Sequence, residues 1–465
     1  MKLPGLRTLA GAILLTTGTL YLAFLVDRTN FTSLFASFCL AFAGYAALVY
    51  RPETKQIKML IGLGIALRLA LVFAFPLLSD DLYRFIWDGH LIAAGHNPFA
   101  HLPAFYLEAG NAVPGLTQEL YAKLNSPEYY TIYPPVAQGV FTLAVWINPE
   151  SWYGAAVVMK LFLFTCELGS LWLLWKLLSD RTRLLFYWLN PLILVEITGN
   201  LHFEGAMIFF LLLAYYWLQR TRWVAAAMAM AAAVASKLLP LMLLPFLIQR
   251  LWVRQKSKYM LDTVDIASSR FWSTFGLEAL DRVRPFWIFS VVFGVSCLAF
   301  FAPFLLSPDF ISGFRSSLEL YQQKFEFNAS LYYLARAYGY YQVGWNQIAT
   351  IGPLLAKIAA GGILFLALVD RRKHWASLPE GWLFAFVLYL LCATTVHPWY
   401  LAVPIVLCCF TRWRFPLVWS FLIMLTYTSY VTVPYEENLW LVAVEYLLVG
   451  GFAVWETTKT SPASS

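Results

Sequence analysis

The stretch SDDLYRFIWDG at residues 79–89 concentrates acidic side chains in a chain that carries few charges. Only 13% of the 465 residues are Asp, Glu, Lys or Arg, compared with about 25% in a typical soluble domain. Yet Asp80, Asp81 and Asp88 accompany Arg84 directly after the apolar run 57–78. A carboxylate held at such a boundary can act as a general base that takes the proton from an attacking hydroxyl group.

The same residues also fit a helix with a capped N-terminus, which is the structural alternative to a catalytic role. Ser79 or Asp80 can cap a helix N-terminus, and Asp81, Arg84 and Asp88 would then share one face. One acid would suffice for a cap, so two adjacent acids favour function. We therefore predict Asp80 and Asp81 as catalytic residues, with Asp81 the favoured base, and Arg84 and Asp88 as substrate-binding residues.

Other ionisable residues lie at the ends of apolar segments or in one long polar loop. A charge at membrane depth is costly and tends to mark a site, so Lys237 should meet an anion. That anion is either a structural partner, such as Glu167 or Glu196, or a lipid-linked phosphate. The predicted substrate-binding residues of this kind, each with an ordinary structural alternative, are His202, Glu204, Lys237, Arg315, Lys324, Arg336 and His397.

The elements that position these residues are membrane helices. Hydrophobic residues make up 60% of the chain, and a span needs about 20 apolar residues. We predict an all-α polytopic protein, a single integral-membrane domain of 13 or 14 spans. The apolar segments are 8–26, 31–50, 57–78, 154–178, 184–199, 204–219, 222–238, 239–253, 285–306, 348–369, 381–396, 399–411, 415–433 and 439–456.

Basic residues orient these spans, because short cytoplasmic loops carry an excess of Lys and Arg. The N-terminus then lies inside, and segment 133–147 becomes an interfacial or re-entrant helix. The outer face collects 79–153, 199–204, 307–347 and the tip 395–397. The chain has no soluble segment in which basic and aromatic residues alternate, so nucleic-acid binding is not predicted. The six cysteines show no metal-binding spacing.

Seven segments in this order resemble landmarks of the GT-C superfamily of membrane glycosyltransferases, in particular prokaryotic mannosyltransferases that use a polyprenyl-phosphate sugar. They are SDDLYRFIWDG, NPF (97–99), IYPPVAQ (132–138), GNLHFEG (199–205), SKLLPL (236–241), FEFNASLYYL (325–334) and HPWYL (397–401). The resemblance implies a seven-helix module at 57–306, followed by C-terminal helices at 307–465 that carry the outer loop 307–347.

The resemblance also implies chemistry. Members of this superfamily carry a catalytic Asp in the first outer loop and another acidic motif in the second. Asp80 and Asp81 match the first motif. His202 and Glu204 match the second only loosely, because His replaces an acid. That departure fits members that need no metal and use a monophosphate donor. The implied reaction moves a hexose, with mannose favoured, from a polyprenyl phosphate to a glycan or glycolipid hydroxyl outside the cell membrane, with inversion.

Two other classes of protein share some of these features. A transporter or flippase of lipid-linked sugars also has many spans, but transporters often show internal repeats and broken helices at the midplane, and no convincing repeat occurs here. An O-antigen-type ligase or polymerase would favour arginines in the outer loops over two adjacent aspartates.

Single-cysteine labelling in intact cells tests the predicted topology. After the native cysteines are replaced, an impermeant maleimide should label Tyr121→Cys and Gln323→Cys from outside. Ser257→Cys should react only after permeabilisation. If Gln323→Cys reacted only from the cytoplasm, the predicted parts of the site would lie on opposite faces of the membrane.

Overall fold

The fold is all-α, as the apolar runs predict. The structure, a computed structural model, describes residues 5–252 and 269–459; Ser257 lies outside them. Within these ranges there is no β-strand. The α-helices are Leu6–Leu25, Phe31–Val49, Ile57–Val72, Asp81–Ala93, Gln118–Ala122, Pro135–Ile147, Trp152–Leu177, Leu185–Trp188, Pro191–Ile193, Glu204–Gln219, Trp223–Ser236, Pro245–Trp252, Ser269–Leu305, Phe310–Gln323, Leu331–Val343, Ile348–Val369, Leu378–Cys392, Ala402–Cys408, Phe415–Leu422 and Leu439–Thr458.

Seven of the described helices are long and apolar enough to cross a membrane, which confirms a polytopic protein. They are Leu6–Leu25, Phe31–Val49, Trp152–Leu177, Val283–Leu305, Ile348–Val369, Trp375–Cys392 and Leu439–Thr458. Pro191–Gly199 and Glu204–Gln219 add an eighth if this pair, bent by 110°, is one span. The predicted number is larger because it includes apolar helices shorter than a span, such as the 14-residue Trp223–Ser236.

The first two helices form a tight hairpin. A Cβ atom on Gly18 would lie only 2.6 Å from the carbonyl oxygen of Ser37, so only glycine allows this approach. Small residues serve this purpose in membrane helix pairs. The Asn30 side chain accepts a hydrogen bond from the Ser33 N–H and caps the second helix. The hairpin therefore holds residues 26–30 in a defined place.

The helix Asp81–Ala93 packs against Pro135–Ile147. Phe85 stacks on Phe141 with ring centroids 4.3 Å apart. Gly89 allows the close approach, since a Cβ atom there would lie 2.6 Å from the Phe141 carbonyl oxygen. The partner helix has 13 residues, too few to cross a bilayer. Through these contacts it supports the helix that begins at Asp81.

The predicted outer loop 307–347 consists mainly of two helices, Phe310–Gln323 and Leu331–Val343. The segment between them runs beside the tip 395–397. The Phe327 N–H donates to the Thr394 carbonyl at 2.9 Å, and the Val396 N–H donates to the Phe327 carbonyl at 2.8 Å. This isolated parallel bridge fixes the segment that precedes His397.

An ion pair lies in the fully buried interior. Arg68 donates from Nη2 to Glu167 at 2.9 Å, and neither side chain has any exposed surface. Arg68 also donates to the Trp188 carbonyl at 2.8 Å, and Tyr187 donates to Glu167. Glu167 is therefore engaged by Arg68 and Tyr187.

Breaking this pair should destabilise the protein. Glu167→Gln leaves the Arg68 charge buried without its counter-charge, which costs about 3–5 kcal/mol of unfolding free energy. The thermal midpoint in detergent should fall strongly. The double variant Arg68→Met/Glu167→Leu removes both charges and should recover most of the loss. A single variant as stable as the wild type would contradict this role.

Candidate functional site

The site is a cavity of about 560 Å³ to which the N-terminal hairpin, the 79–134 segment, the helix break at 200–203 and the C-terminal half all contribute. Of the predicted residues, seven line it. They are Asp80, Asp81, Arg84, His202, Glu204, Lys237 and His397. The structure thus brings together residues more than 300 positions apart in the chain.

The two adjacent aspartates have different partners. Asp80 forms an ion pair with Arg28. Asp81 instead accepts a hydrogen bond from the Asn125 amide at 2.8 Å. The Ser79 hydroxyl accepts from the Asp81 N–H at 3.3 Å, so Ser79 supplies a side-chain hydrogen bond at the start of the helix. Asp80 carries no capping hydrogen bond.

Arg84 and Asp88 form the structural part of the same motif. Arg84 Nε donates to Asp88 at 2.9 Å, and its Nη1 donates to the Tyr129 carbonyl at 2.8 Å. Asp88 is completely buried and also accepts from Thr131 and from Gln138. Arg84 lines the cavity, whereas Asp88 lies behind it. Together they hold segment 126–131 against the helix.

A break in a helix places His202 and Glu204. Leu201, with φ +66°, adopts the left-handed conformation at the break, which is uncommon for a residue other than glycine. His202 Nδ1 lies 2.8 Å from the Glu196 carbonyl oxygen and 3.2 Å from the Glu196 carboxylate. Its Nε2 is buried and has no hydrogen-bond partner within the described residues.

Lys237 meets the anion that its position requires. Its ammonium group pairs with Glu204 and lies 4.7 Å from the Tyr400 ring centroid. The partner is therefore neither Glu167 nor Glu196. The Lys237 side chain remains 28% exposed, against 2% for Glu204, so the lysine still presents positive charge to the cavity.

Two histidines enclose one tryptophan. The Trp399 ring stacks on His202 with centroids 3.7 Å apart and on His397 at 4.4 Å. His397 Nδ1 is buried without a hydrogen-bond partner in the described chain. Burial, and then the proximity of His202 and Lys237, lowers the pKa of His397 to about 3. His397 is thus a neutral hydrogen-bonding group at physiological pH.

Three predicted cations of the 307–347 segment lie outside the cavity lining. Arg315 pairs with Glu319 at 2.7 Å on the surface, with 78% of its side chain exposed. Lys324 is exposed as well. Arg336 pairs with Glu326, and it is Glu326 that lines the cavity. Arg336 therefore reaches the site only through that carboxylate.

The structure adds to the cavity lining three charged or amide side chains that the sequence analysis does not predict. They are Arg28, Asn125 and Glu326. Arg28 had a signal, because it is a cation in a short connection on the predicted outer side, where positive charge is scarce. Glu326 stands inside the motif FEFNASLYYL, between Lys324 and Arg336, the basic residues on which the prediction for this segment rests. Asn125 had no comparable signal in the sequence.

Part of the cavity wall is apolar. Gly352, Ala356 and Ala359 lie on one face of the helix Ile348–Val369, and Leu239 and Cys392 also line the cavity. Only 22% of this helix is buried within the protein.

The described residues contain no group of three His, Cys, Asp or Glu side chains that could hold a metal ion. That the protein needs no metal stays a prediction.

One comparison with known proteins bears on the identity of the chain. Residues 9–254 match the model of the MptA_B family, described as alpha-(1->6)-mannopyranosyltransferase, N-terminal domain. The match covers just over half of the chain and includes the aspartate pair, the helix break and Lys237. No curated protein matches the sequence.

The neutral His397, whose Nδ1 is buried, should make stability depend on pH. Its pKa is about 3 in the fold and about 6.5 when unfolded, so the stabilisation is present above pH 6.5. It is lost as pH falls towards 3, at roughly 1.4 kcal/mol per unit. Thermal midpoints between pH 7 and 4.5 should therefore fall less steeply for His397→Gln than for the wild type. Parallel curves would contradict the assignment.

Proposed function

We propose that this chain, which belongs to the alpha-(1->6)-mannopyranosyltransferase family, transfers mannose from a polyprenyl phosphate to a hydroxyl group of a glycan or glycolipid. The reaction takes place on the outer face of the membrane. The observation that carries the proposal is that one cavity combines ionisable groups with an apolar wall on a helix that is long and apolar enough to span a membrane and is mostly not buried within the protein. A lipid-linked sugar needs both surfaces.

The apolar wall suits the lipid part of the donor. Gly352, Ala356 and Ala359 present small side chains to the cavity, which leaves space for an isoprenoid chain beside the bilayer. A polyprenyl tail can then stay in an apolar environment while its phosphate reaches the polar end. This preserves most of the hydrophobic stabilisation of the tail in the membrane.

The phosphate end requires positive charge and hydrogen-bond donors. Lys237 supplies a partly exposed ammonium group, and the free ring nitrogens of His202 and His397 can bond to the polar head of the donor. Pairing the developing charge makes phosphate a better leaving group. Of the predicted cations in the 307–347 segment, Arg336 contributes indirectly, by holding Glu326 in the cavity wall.

Asp81 serves as the general base. It takes the proton of the acceptor hydroxyl while that oxygen forms a bond to the anomeric carbon. The bond from this carbon to the phosphate oxygen breaks on the opposite side, and its electron pair leaves with the phosphate. Configuration at the anomeric carbon is inverted. Asp80 is less suited to the role because Arg28 already occupies its carboxylate.

The function is tested with the purified full chain in lipid nanodiscs. Labelled polyprenyl-phosphate mannose is the donor, and octyl α-mannoside, with a free 6-hydroxyl, is the acceptor. Mass spectrometry should show a mannosyl disaccharide, and GDP-mannose should not replace the donor. If the protein moved the lipid-linked sugar across the proteoliposome membrane without transferring mannose to the acceptor, the flippase alternative would be supported instead.

Two isosteric variants separate the aspartates. Asp81→Asn should lower the transfer rate by about 100-fold or more, since a general base contributes 10²–10⁴, while the thermal midpoint stays near that of the wild type. Asp80→Asn should lose less. Glu119→Gln, at an exposed position of the same outer segment, is the matched control. Near-normal transfer by folded Asp81→Asn would remove the proposed base.

A further inference from the structure

Arg28 reaches the cavity from outside the predicted seven-helix module. It belongs to the short connection between Leu6–Leu25 and Phe31–Val49. Its guanidinium pairs with Asp80 and lies 4.9 Å from the centroid of the Tyr430 ring. The Arg28 side chain thus contacts both the start of the helix Asp81–Ala93 and the C-terminal half of the protein.

The connection is shaped so that Arg28 has little freedom. The Asp27 carboxylate accepts hydrogen bonds from the Thr29 N–H at 2.8 Å and from the Thr29 hydroxyl at 2.6 Å. Asn30, which follows Thr29, caps the helix Phe31–Val49. Both ends of the turn are therefore fixed, and the two helices of the hairpin behind it pack closely at glycine.

The electrostatic need for a cation here is clear. Asp80 and Asp81 are adjacent carboxylates in a partly enclosed cavity, where like charges repel more strongly than in bulk water. Only 28% of the Arg28 side chain and 37% of the Asp80 side chain are exposed. Arg28 compensates the Asp80 charge and fixes the direction of that carboxylate, which leaves the neighbouring Asp81 to Asn125 and the acceptor.

We propose that Arg28 is a positioning residue for mannosyl transfer, an inference that rests on the proposed function. By holding Asp80, it sets the orientation of the helix N-terminus at Asp81. The N-terminal hairpin is then a working part of the active site. Because Arg28 acts on the base rather than on the donor, its loss affects the rate of transfer and not donor binding.

Four variants test this role by the separation of kcat from KM. Arg28→Met should lower kcat roughly 10- to 100-fold, the range expected when a reacting group is misplaced by up to 1 Å. The donor KM should stay within about threefold. Arg28→Lys should recover most of the rate, because the pair uses one guanidinium nitrogen. Asp80→Asn alone and in the Arg28→Met background completes a double-mutant cycle.

The double variant should be no slower than the slower single variant, because both changes break the same contact. Arg7→Met is the matched control: Arg7 lies on the same hairpin, donates to the Arg51 carbonyl at 3.1 Å and does not line the cavity. It should keep the wild-type rate and thermal midpoint.

Three results would overturn the inference. They are a raised donor KM with unchanged kcat, additive losses in the double variant, and a lowered thermal midpoint with a normal kcat. The first would make Arg28 a donor contact, and the last would make it a structural clasp. Wild-type transfer and its loss in Asp81→Asn do not depend on Arg28, so the proposed function can stand when this inference fails.

Discussion

A charged side chain within a membrane protein must find a partner, because neither lipid nor an apolar core can replace its hydration. This constraint organises the whole chain. In the interior it is met completely by Arg68 and Glu167, which have no exposed surface. At the cavity it is met only partly, since Lys237 is paired yet 28% exposed. The first kind of pair lies wholly inside the fold, and the second leaves part of the lysine exposed to the cavity.

The cavity follows from how helices end rather than from the helices themselves. The helix Asp81–Ala93 begins at the aspartate pair, and the broken pair Pro191–Gly199 and Glu204–Gln219 places His202 at its break. Lys237 follows the last residue of Trp223–Ser236. Helix ends expose polar backbone and polar side chains, which is why ionisable groups collect there. Neighbouring helix bodies supply the apolar wall.

Local sequence patterns predicted these ends well. The helix at 81, the short helix at 133–147 and an anion beside Lys237 all follow from capping, length and the cost of burial. Partners distant in the chain did not follow. The Arg28–Asp80 pair joins residues 52 positions apart, and the Lys237–Glu204 pair depends on how two helices are packed together. Likewise, the sequence placed Asp88 on the same face as Asp81, but Thr131 and Gln138 bond to Asp88 and bury it behind the cavity that Asp81 lines.

The contrast between charged and neutral groups in the cavity has a chemical consequence. Its lining contains the cations Arg28, Arg84 and Lys237, and each is already balanced by an acid. His397 is kept neutral by burial. A site balanced in this way has little positive charge left for a ligand with several negative charges. This balance agrees with the proposed donor, which carries one phosphate whose departing charge Lys237 and neutral hydrogen-bond donors would share.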